Sequence, residues 1–105
     1  MRQLLHLWLS PFSRKVRVVL AEKELPCDLR VEKVWELRPG FLALNPAGLV
    51  PVLVEDDSTV ISESGAICEY LEELYPEHSL LGATASERAE TRRLVSWFDL
   101  KFHAE

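Results

Sequence analysis

Two serines stand where a predicted helix begins, a position at which a hydroxyl group could stabilise a bound anion. Ser10 and Ser13 belong to a Ser-Pro-Phe-Ser segment that follows an apolar strand pattern and opens a helical one. A helix N-terminus presents free N–H groups and a partial positive charge, so it stabilises anions, thiolates included. The same serines could simply cap the helix, and these residues alone favour capping. No His and Asp partner set accompanies them, so hydrolase chemistry is weakly supported.

The Val50-Pro51 step is a second candidate, because it enters an alternating apolar strand. Proline cannot donate to a strand ladder, so it belongs at a strand start. A cis peptide bond there would leave the N–H and C=O groups of Val50 available to pair with an extended, peptide-like ligand. The alternative is an ordinary trans proline at a strand entrance, which the rarity of cis bonds favours.

A third candidate, Glu63-Ser64, opens another predicted helix. The hydroxyl of Ser64 and the N–H groups that follow it could donate to a carboxylate. Glu63, beside them, could receive an ammonium group. A ligand with an amino-acid end would satisfy both residues, and a plain N-cap is the alternative.

Composition limits the class of protein. The chain has 105 residues, 48% of them apolar, which suits one compact domain and a short addition. Its net charge of −5 gives no indication of nucleic-acid binding. Cys27 and Cys68 form no Cys-x-x-Cys pair and are predicted to be buried, which fits a reducing cytosol and no metal site. No segment reaches the ~20 apolar residues of a membrane span, so we expect a cytoplasmic protein without membrane contact.

The pattern along the chain predicts a β-α-β-α-β-β-α order, then a linker, then a further helix. Apolar or alternating runs predict strands over 3–9, 27–34, 50–54 and 60–61, and helical spacing predicts helices over 11–25, 39–44 and 64–75. The last helix begins at Ser86 and has no stop signal before residue 105. Trp8 and Trp97 are predicted to lie in the core. The elements together predict an α/β sandwich with a mixed sheet of about four strands.

Three segments carry a resemblance to one family. SPFSRKVRVVLAEKEL resembles the first-helix motif, NPAGLVPVL the N-P-x-x-x-V-P segment and ISESGAICEYLEELYP the E-S-x-A-I helix of the cytosolic glutathione transferases. The segments occur in the family's order across about residues 3–76, and the likeness is to serine-type members such as the bacterial, zeta and tau classes. The resemblance implies a thioredoxin-like βαβαββα domain over 1–77, a linker over 78–85, and the first helix of an all-helical domain over 86–105.

The resemblance also implies a site for glutathione as co-substrate. By position, Ser10 matches the serine that hydrogen-bonds the glutathione sulfur, with Ser13 as the alternative. Val50-Pro51 matches a step whose first residue pairs with the cysteinyl backbone and whose proline is cis. Glu63-Ser64 matches the pair that holds the γ-glutamyl end.

Two departures from the family pattern affect these roles. Members often carry Lys, Gln or His just before the Val-Pro step to hold the glycine carboxylate, whereas this chain has Gly48 and Leu49. Arg38 or Lys33 is expected to supply that charge instead. The thiol-oxidoreductase branches carry a cysteine where Ser10 stands, which argues against a mixed-disulfide mechanism.

The function implied is a glutathione transferase that directs the thiolate onto a small electrophile and forms a homodimer. The alternatives are a non-catalytic binding or regulatory module and a thiol-disulfide oxidoreductase. We expect this chain alone to be weak or inactive, because the family's second domain lines most of the electrophile pocket. Trp97, Phe98 and Phe102 are expected to form an apolar patch that seeks a partner.

Overall fold

The chain folds as an α/β unit followed by a long helix. The computed structural model describes residues 1–80, 82 and 84–104, without the side chains of 78 and 98–104. In this part of the chain the strands are β1 (Gln3–His6), β2 (Asp28–Val31), β3 (Val52–Val54) and β4 (Val60–Ser62). The α-helices are α1 (Pro11–Glu22), α2 (Pro39–Leu44), α3 (Ser64–Leu74) and α4 (Ala85–Ala104). The predicted βαβαββα order and the additional helix are confirmed.

The four strands form one mixed sheet in the order β2-β1-β3-β4. β1 runs parallel to β2, and Leu4 lies opposite Leu29. β1 runs antiparallel to β3, where Leu4 lies opposite Leu53, and β3 pairs with β4 as an antiparallel hairpin. The mixed four-stranded sheet is therefore confirmed.

Alternation along the two central strands divides the core into two layers. Successive side chains of a strand point to opposite faces. Leu4 and Leu53 accordingly pack with α1 and α3, whereas Leu5 and Val52 pack with Phe41 of α2. The sheet thus lies between the α1–α3 pair on one face and the short α2 on the other.

Helices α1 and α3 contact the sheet through apolar residues four positions apart. Val16 and Leu20 of α1 are buried in the same cluster as Ile67 and Leu71 of α3. Residues at this spacing lie on one face of a helix, so each helix presents an apolar stripe to the sheet. Both helices begin near the same end of the sheet, which brings their N-termini close to one cleft.

The C-terminal ends of α1 and α3 are joined by a buried ion pair. The ammonium of Lys23 lies 2.8 Å from a carboxylate oxygen of Glu72, and the two side chains are 1% and 3% exposed. Lys23 also donates to the backbone carbonyl of Tyr75, at 2.8 Å. Glu72 in turn accepts from the backbone N–H of Leu80, at 3.1 Å. We call this group of four residues the C-terminal joint.

Several expectations about exposure were wrong. The first strand ends at His6, not at residue 9, and Trp8 is 57% exposed in the loop that follows. The alternation of Leu29 and Val31 with polar residues predicts a half-buried second strand, but both are exposed in β2, an edge strand whose only ladder in the described chain is with β1. Trp97, predicted to be core, is 49% exposed on α4.

Some expectations lie beyond what the structure describes. The side chains of Phe98 and Phe102, which were expected to form an apolar patch with Trp97, are outside the described residues. The domain limits drawn at residues 77 and 86 stay predictions.

Candidate functional site

Ser10 is the N-cap of α1. Its hydroxyl oxygen accepts from the backbone N–H of Ser13 at 3.2 Å, and Pro11 occupies the first helical position. The capping predicted from the sequence is therefore present. A serine hydroxyl has one proton to donate as well as lone pairs to accept. Capping the helix through its oxygen leaves that proton available to an anion at the positive end of α1.

Ser13 occupies a different environment from Ser10. It is fully buried, and its hydroxyl oxygen accepts from the backbone N–H of Leu7 at 3.3 Å. The contact ties the loop after β1 to the first turn of α1. Ser13 thus positions the backbone before Ser10, and its burial separates it from a ligand in solvent.

Glu63 caps α3 in a strained backbone conformation. Its φ of 79° lies in the left-handed region that side chains rarely adopt, and its carboxylate accepts from the N–H of Ala66 at 2.9 Å. Strain of this kind costs about 1–3 kcal/mol and clusters at functional sites. A Cβ built on Gly65 would lie 2.9 Å from the Glu63 carboxylate, so the glycine leaves room for this cap. Ser64, the first helical residue, is buried.

The segment before β3 is held by an Asn-Pro turn. Asn45 is buried, and its amide donates to the carbonyl of Leu49 at 2.8 Å. Gly48 closes the turn with a φ of 70°, a conformation that glycine adopts without penalty. The Val50-Pro51 peptide bond that follows is cis, as the family resemblance implied and against the general rarity of such bonds.

These residues line one cleft of about 250 Å³. Its walls come from the start of α1, the Asn-Pro turn, the Val-Pro step and the junction of β4 with α3: Phe12, Asn45, Ala47, Leu49, Val50, Pro51, Ser62, Glu63 and Ser64. Val50 precedes β3 and lies outside the registers that pair β3 with β1 and β4. The structure thus brings together four of the predicted residues, Val50, Pro51, Glu63 and Ser64. Ser10 is not among the lining residues, but it caps α1, whose second residue, Phe12, lines the cleft.

The two residues expected to bind a terminal carboxylate lie elsewhere. Arg38 makes a two-pronged ion pair with the buried carboxylate of Glu32, with contacts of 2.7 and 3.2 Å. It lines a separate depression beside β1 and β2. Lys33 is exposed next to Glu32. Neither residue is among those lining the cleft, so in this arrangement they do not complete it.

A larger cavity of about 460 Å³ runs between α1, α3 and α4 and shares Glu63 with the cleft. Its lining includes apolar atoms of Val19 and Val95 and the charged pair of Arg92 with Glu69, at 2.8 Å.

Sequence reasoning missed a cluster around the loop after β1. Arg17 of α1 contacts the imidazole of His6 at 3.0 Å and lies over the indole of Trp8, 4.9 Å from the ring centroid. His6 is fully buried, although its histidine type suggested no particular role. In the sequence, the position of Arg17 one helical turn after Ser13 was the available indication of this cluster. The same spacing is equally typical of an exposed polar helix face.

The cysteines are placed as small apolar residues. Cys27 and Cys68 form no disulfide and pack against the α1–α3 layer of the core, half-buried rather than fully buried as predicted. Burial raises the pKa of the Cys27 thiol to about 11, so it is protonated at neutral pH. In the described residues, no three His, Cys, Asp or Glu side chains come together as a metal site. No helix of this part of the chain is long and apolar enough to cross a membrane.

The mixed four-stranded sheet, the cis-proline step and the two capped helix N-termini beside one cleft form a thioredoxin-like domain. The family model described as "Glutathione S-transferase, N-terminal domain" matches residues 9–74. The chain belongs to the glutathione S-transferase family, as its sequence motifs indicated.

Individual relatives agree with this assignment. FtsZ-localized protein A of Caulobacter vibrioides is 49% identical over 99% of this chain and 47% of its own length. The crystal structure of a glutathione S-transferase from Rhodospirillum rubrum F11 is 59% identical, with a TM-score of 0.97 over 100% of this chain and 47% of that one. A Methylobacterium radiotolerans glutathione S-transferase in complex with glutathione sulfonate is 33% identical, with a TM-score of 0.88 over 93% of this chain and 46% of that one.

The chain spans about half the length of these relatives. Of these three relatives, the Methylobacterium protein holds a glutathione derivative, and the Methylobacterium and Rhodospirillum proteins have names that state a transferase. The family is thus one of glutathione-dependent proteins, and the name of the Caulobacter relative refers to FtsZ rather than to a reaction.

Proposed function

We propose that this chain is the glutathione-binding half of a glutathione transferase. The observation that supports the proposal is the cleft that joins the Val50-Pro51 step to Glu63-Ser64 beside the N-terminus of α1. A site for a tripeptide thiol needs three contacts: one to the peptide backbone of the ligand, one to its amino-acid end, and a hydrogen-bond donor to its sulfur. Val50 and the Glu63-Ser64 pair in the cleft have groups for the first two contacts, and Ser10, the N-cap of α1 beside the cleft, has a hydroxyl for the third.

The sulfur is assigned to Ser10. A free thiol with a pKa near 8.5 is largely protonated at neutral pH, and a reduction of ~2 units makes the thiolate the main species. The hydroxyl proton of Ser10 and the partial positive charge at the N-terminus of α1 would together stabilise that thiolate. The thiolate then forms a carbon–sulfur bond with an electrophilic carbon of the second substrate. It either displaces a leaving group, which departs with the electron pair of the broken bond, or adds to a polarised double bond, whose displaced electron pair takes a proton from water.

The γ-glutamyl end is assigned to the N-terminus of α3. Its carboxylate would accept from the hydroxyl and N–H of Ser64, and its ammonium would face the carboxylate of Glu63. One oxygen of that carboxylate is already held by the N–H of Ala66, which fixes its direction. The cysteinyl part of the ligand would pair with the backbone of Val50 as a short added strand.

The remaining parts of the assignment concern the whole protein. We propose a cytoplasmic homodimer whose electrophile is a small molecule held mainly by residues beyond this chain. The glycine end of glutathione has no partner assigned within the cleft, because Leu49 stands at the position where the family often has a polar side chain.

A binding and turnover experiment on the full-length protein tests the proposal. Calorimetry should detect glutathione binding, and Ser64→Ala should weaken it by roughly tenfold, the effect of losing a hydrogen bond to a charged group. Ser86→Ala, a serine change on α4 away from the cleft, is the matched control and should bind normally. Turnover with an activated aryl halide completes the test. Absence of glutathione binding in the wild type would refute the proposal.

A second candidate is a non-catalytic binding module. The likeness to FtsZ-localized protein A, over 99% of this chain, is the observation that favours it. Such a module could contact FtsZ or another protein while retaining the glutathione cleft. The two candidates differ in the pKa that they predict for the thiol of bound glutathione. A transferase lowers this pKa, whereas a binding module does not need to lower it. Co-sedimentation with FtsZ, without glutathione turnover, would favour the second candidate.

A further inference from the structure

Arg17 reaches from α1 back across the loop that leads to Ser10. One guanidinium nitrogen lies 3.0 Å from Nδ1 of His6 and donates to the carbonyl of Leu7 at 3.2 Å. The other donates to the carbonyl of Trp8 at 3.1 Å. A single side chain therefore contacts three consecutive residues, the last of β1 and the first two of the loop.

His6 serves this arrangement as a neutral acceptor. Arginine can only donate, so Nδ1 of His6 must accept, and the ring proton sits on Nε2. The ring is fully buried, and its Nε2 has no hydrogen-bond partner in the described part of the chain. Burial and, to a smaller extent, the charge of Arg17 lower the pKa of His6. The imidazole is therefore an uncharged anchor at neutral pH.

Leu7 links Arg17 to Ser10 through hydrogen bonds. The carbonyl of Leu7 accepts from the backbone N–H of Ser10 at 3.2 Å as well as from Arg17. Its N–H is bound in turn by the buried hydroxyl of Ser13, at 3.3 Å. The peptide groups of Leu7 are thus fixed on both sides, and Ser10 is fixed to Leu7.

We propose that Arg17 is a positioning residue for the thiol chemistry: it fastens the turn from Leu7 to Ser10 so that the Ser10 hydroxyl faces the sulfur. Its guanidinium also leaves a fixed positive charge behind the same turn, where it favours an anion on the ligand side. Arg17 does not line the cleft and so does not bind the tripeptide itself. This inference rests on the proposed function.

The test compares Arg17→Met, Arg17→Lys and Arg14→Met with the wild-type full-length protein. Arg14 is exposed on the same helix, so its variant is the matched control. Two quantities are measured: the Kd of S-methylglutathione, which has no thiol to ionise, and the pKa of the thiol of bound glutathione from its thiolate absorbance.

We expect Arg17→Met to raise the pKa of the bound thiol by about 1 unit, and kcat/KM at neutral pH to fall by about threefold, the ratio of the two thiolate fractions at pH 7. The Kd of S-methylglutathione should stay within about threefold, because the side chain does not touch the ligand. Arg17→Lys, which keeps the charge and part of the donor set, should give about half the pKa change. Arg14→Met should match the wild type.

The outcomes separate the two proposals. If the wild type lowers the thiol pKa and both Arg17 variants lower it equally, the role of Arg17 is refuted and the transferase proposal stands. If the wild type binds S-methylglutathione but leaves the thiol pKa of glutathione unchanged, the transferase proposal and this inference both fail. Should Arg17→Met not fold, the Arg17→Lys measurement decides alone, since a wild-type thiol pKa in that variant would contradict the inference.

Discussion

The two ends of the α1–α3 helix pair are built in opposite ways. At the N-terminal end, Ser10 and Glu63 cap the helices beside an open cleft, and Glu63 does so with a strained backbone. At the C-terminal end, Lys23 and Glu72 form an ion pair that is almost fully buried and linked to further hydrogen bonds. One end keeps polar groups exposed to a ligand, and the other pairs them with one another.

The difference separates function from stability along one pair of helices. Removing one partner of a buried ion pair leaves an uncompensated charge, so the C-terminal joint governs folding. A hydroxyl or carboxylate at the cleft has water as an alternative partner, so its loss affects the ligand more than the fold. Substitutions at the C-terminal joint should therefore change mainly the free energy of unfolding, and substitutions at the cleft should change mainly the Kd for glutathione.

The largest expected effect on stability is at the C-terminal joint. Lys23→Met should lower the free energy of unfolding by about 3–5 kcal/mol, because the carboxylate of Glu72 stays buried without its cation. Urea unfolding measures this loss. Among folded molecules the Kd for glutathione should change by less than about twofold, since the joint is remote from the cleft.

A double variant makes the test of the joint specific. Lys23→Met combined with Glu72→Leu removes both charges and should recover most of the lost stability, because an apolar pair of similar volume replaces the ion pair. If the double variant were less stable than Lys23→Met, the contacts of Glu72 with Leu80 would contribute more to the free energy of unfolding than the ion pair does. That result would contradict the role given to the ion pair.

The next effect is at the strained cap. Glu63→Gln keeps an oxygen that can accept from Ala66 but removes the charge that faces an ammonium group. We expect the Kd for glutathione to rise about tenfold, while the free energy of unfolding changes by less than about 0.5 kcal/mol. Calorimetry and urea unfolding give the two values. Glu77→Gln, an exposed change beyond α3, is the control. A stability loss without a binding loss would show that Glu63 acts only as a cap.

The smallest effect concerns Tyr70 of α3 and the carboxylate of Glu55, which follows β3. Tyr70 donates to Glu55 at 2.6 Å, and this bond raises the pKa of Tyr70 from 10.0 to about 12. A group whose pKa is raised on folding stabilises the fold fully below its unfolded pKa and loses that contribution as pH rises through the folded pKa. The stability advantage of wild type over Tyr70→Phe should therefore be constant up to about pH 10 and decline towards pH 12. An advantage that does not decline in this range, measured by urea unfolding, would contradict the assignment.

Much of the fold was predictable from local patterns. The helical spacing of Val16 with Leu20 and of Ile67 with Leu71 predicted α1 and α3. The Asn45-Pro46 turn before β3 and the acidic turn over residues 55–58, between β3 and β4, indicated where these strands begin and end. Exposure was less predictable, because it depends on the sheet order. Leu29 alternates like a half-buried strand residue, yet β2 lies at an edge.

The site was predictable only in part, because its remaining contacts depend on how the chain folds rather than on local sequence patterns. Motifs placed Val50-Pro51 and Glu63-Ser64 on the chain, and the fold brings both to one cleft. The burial of Lys23 was not predictable, because a lysine at that spacing fits a solvated helix face equally well. The pairing of Arg38 with Glu32 was missed because it is set by the path of the chain between β2 and α2.

The measurement that tests the central claim most directly is the pKa of the thiol of bound glutathione in the wild type, Ser10→Ala and Ser13→Ala. We expect the wild type to hold it ~2 units below its free value, and Ser10→Ala to return it by at least about 1 unit, with a matching loss of kcat/KM at neutral pH. Ser13→Ala should change the thiol pKa less, at an equal folded fraction, because its buried hydroxyl acts on the backbone of Leu7. A wild-type thiol pKa in Ser10→Ala, together with its loss in Ser13→Ala, would contradict the assignment of the sulfur to Ser10.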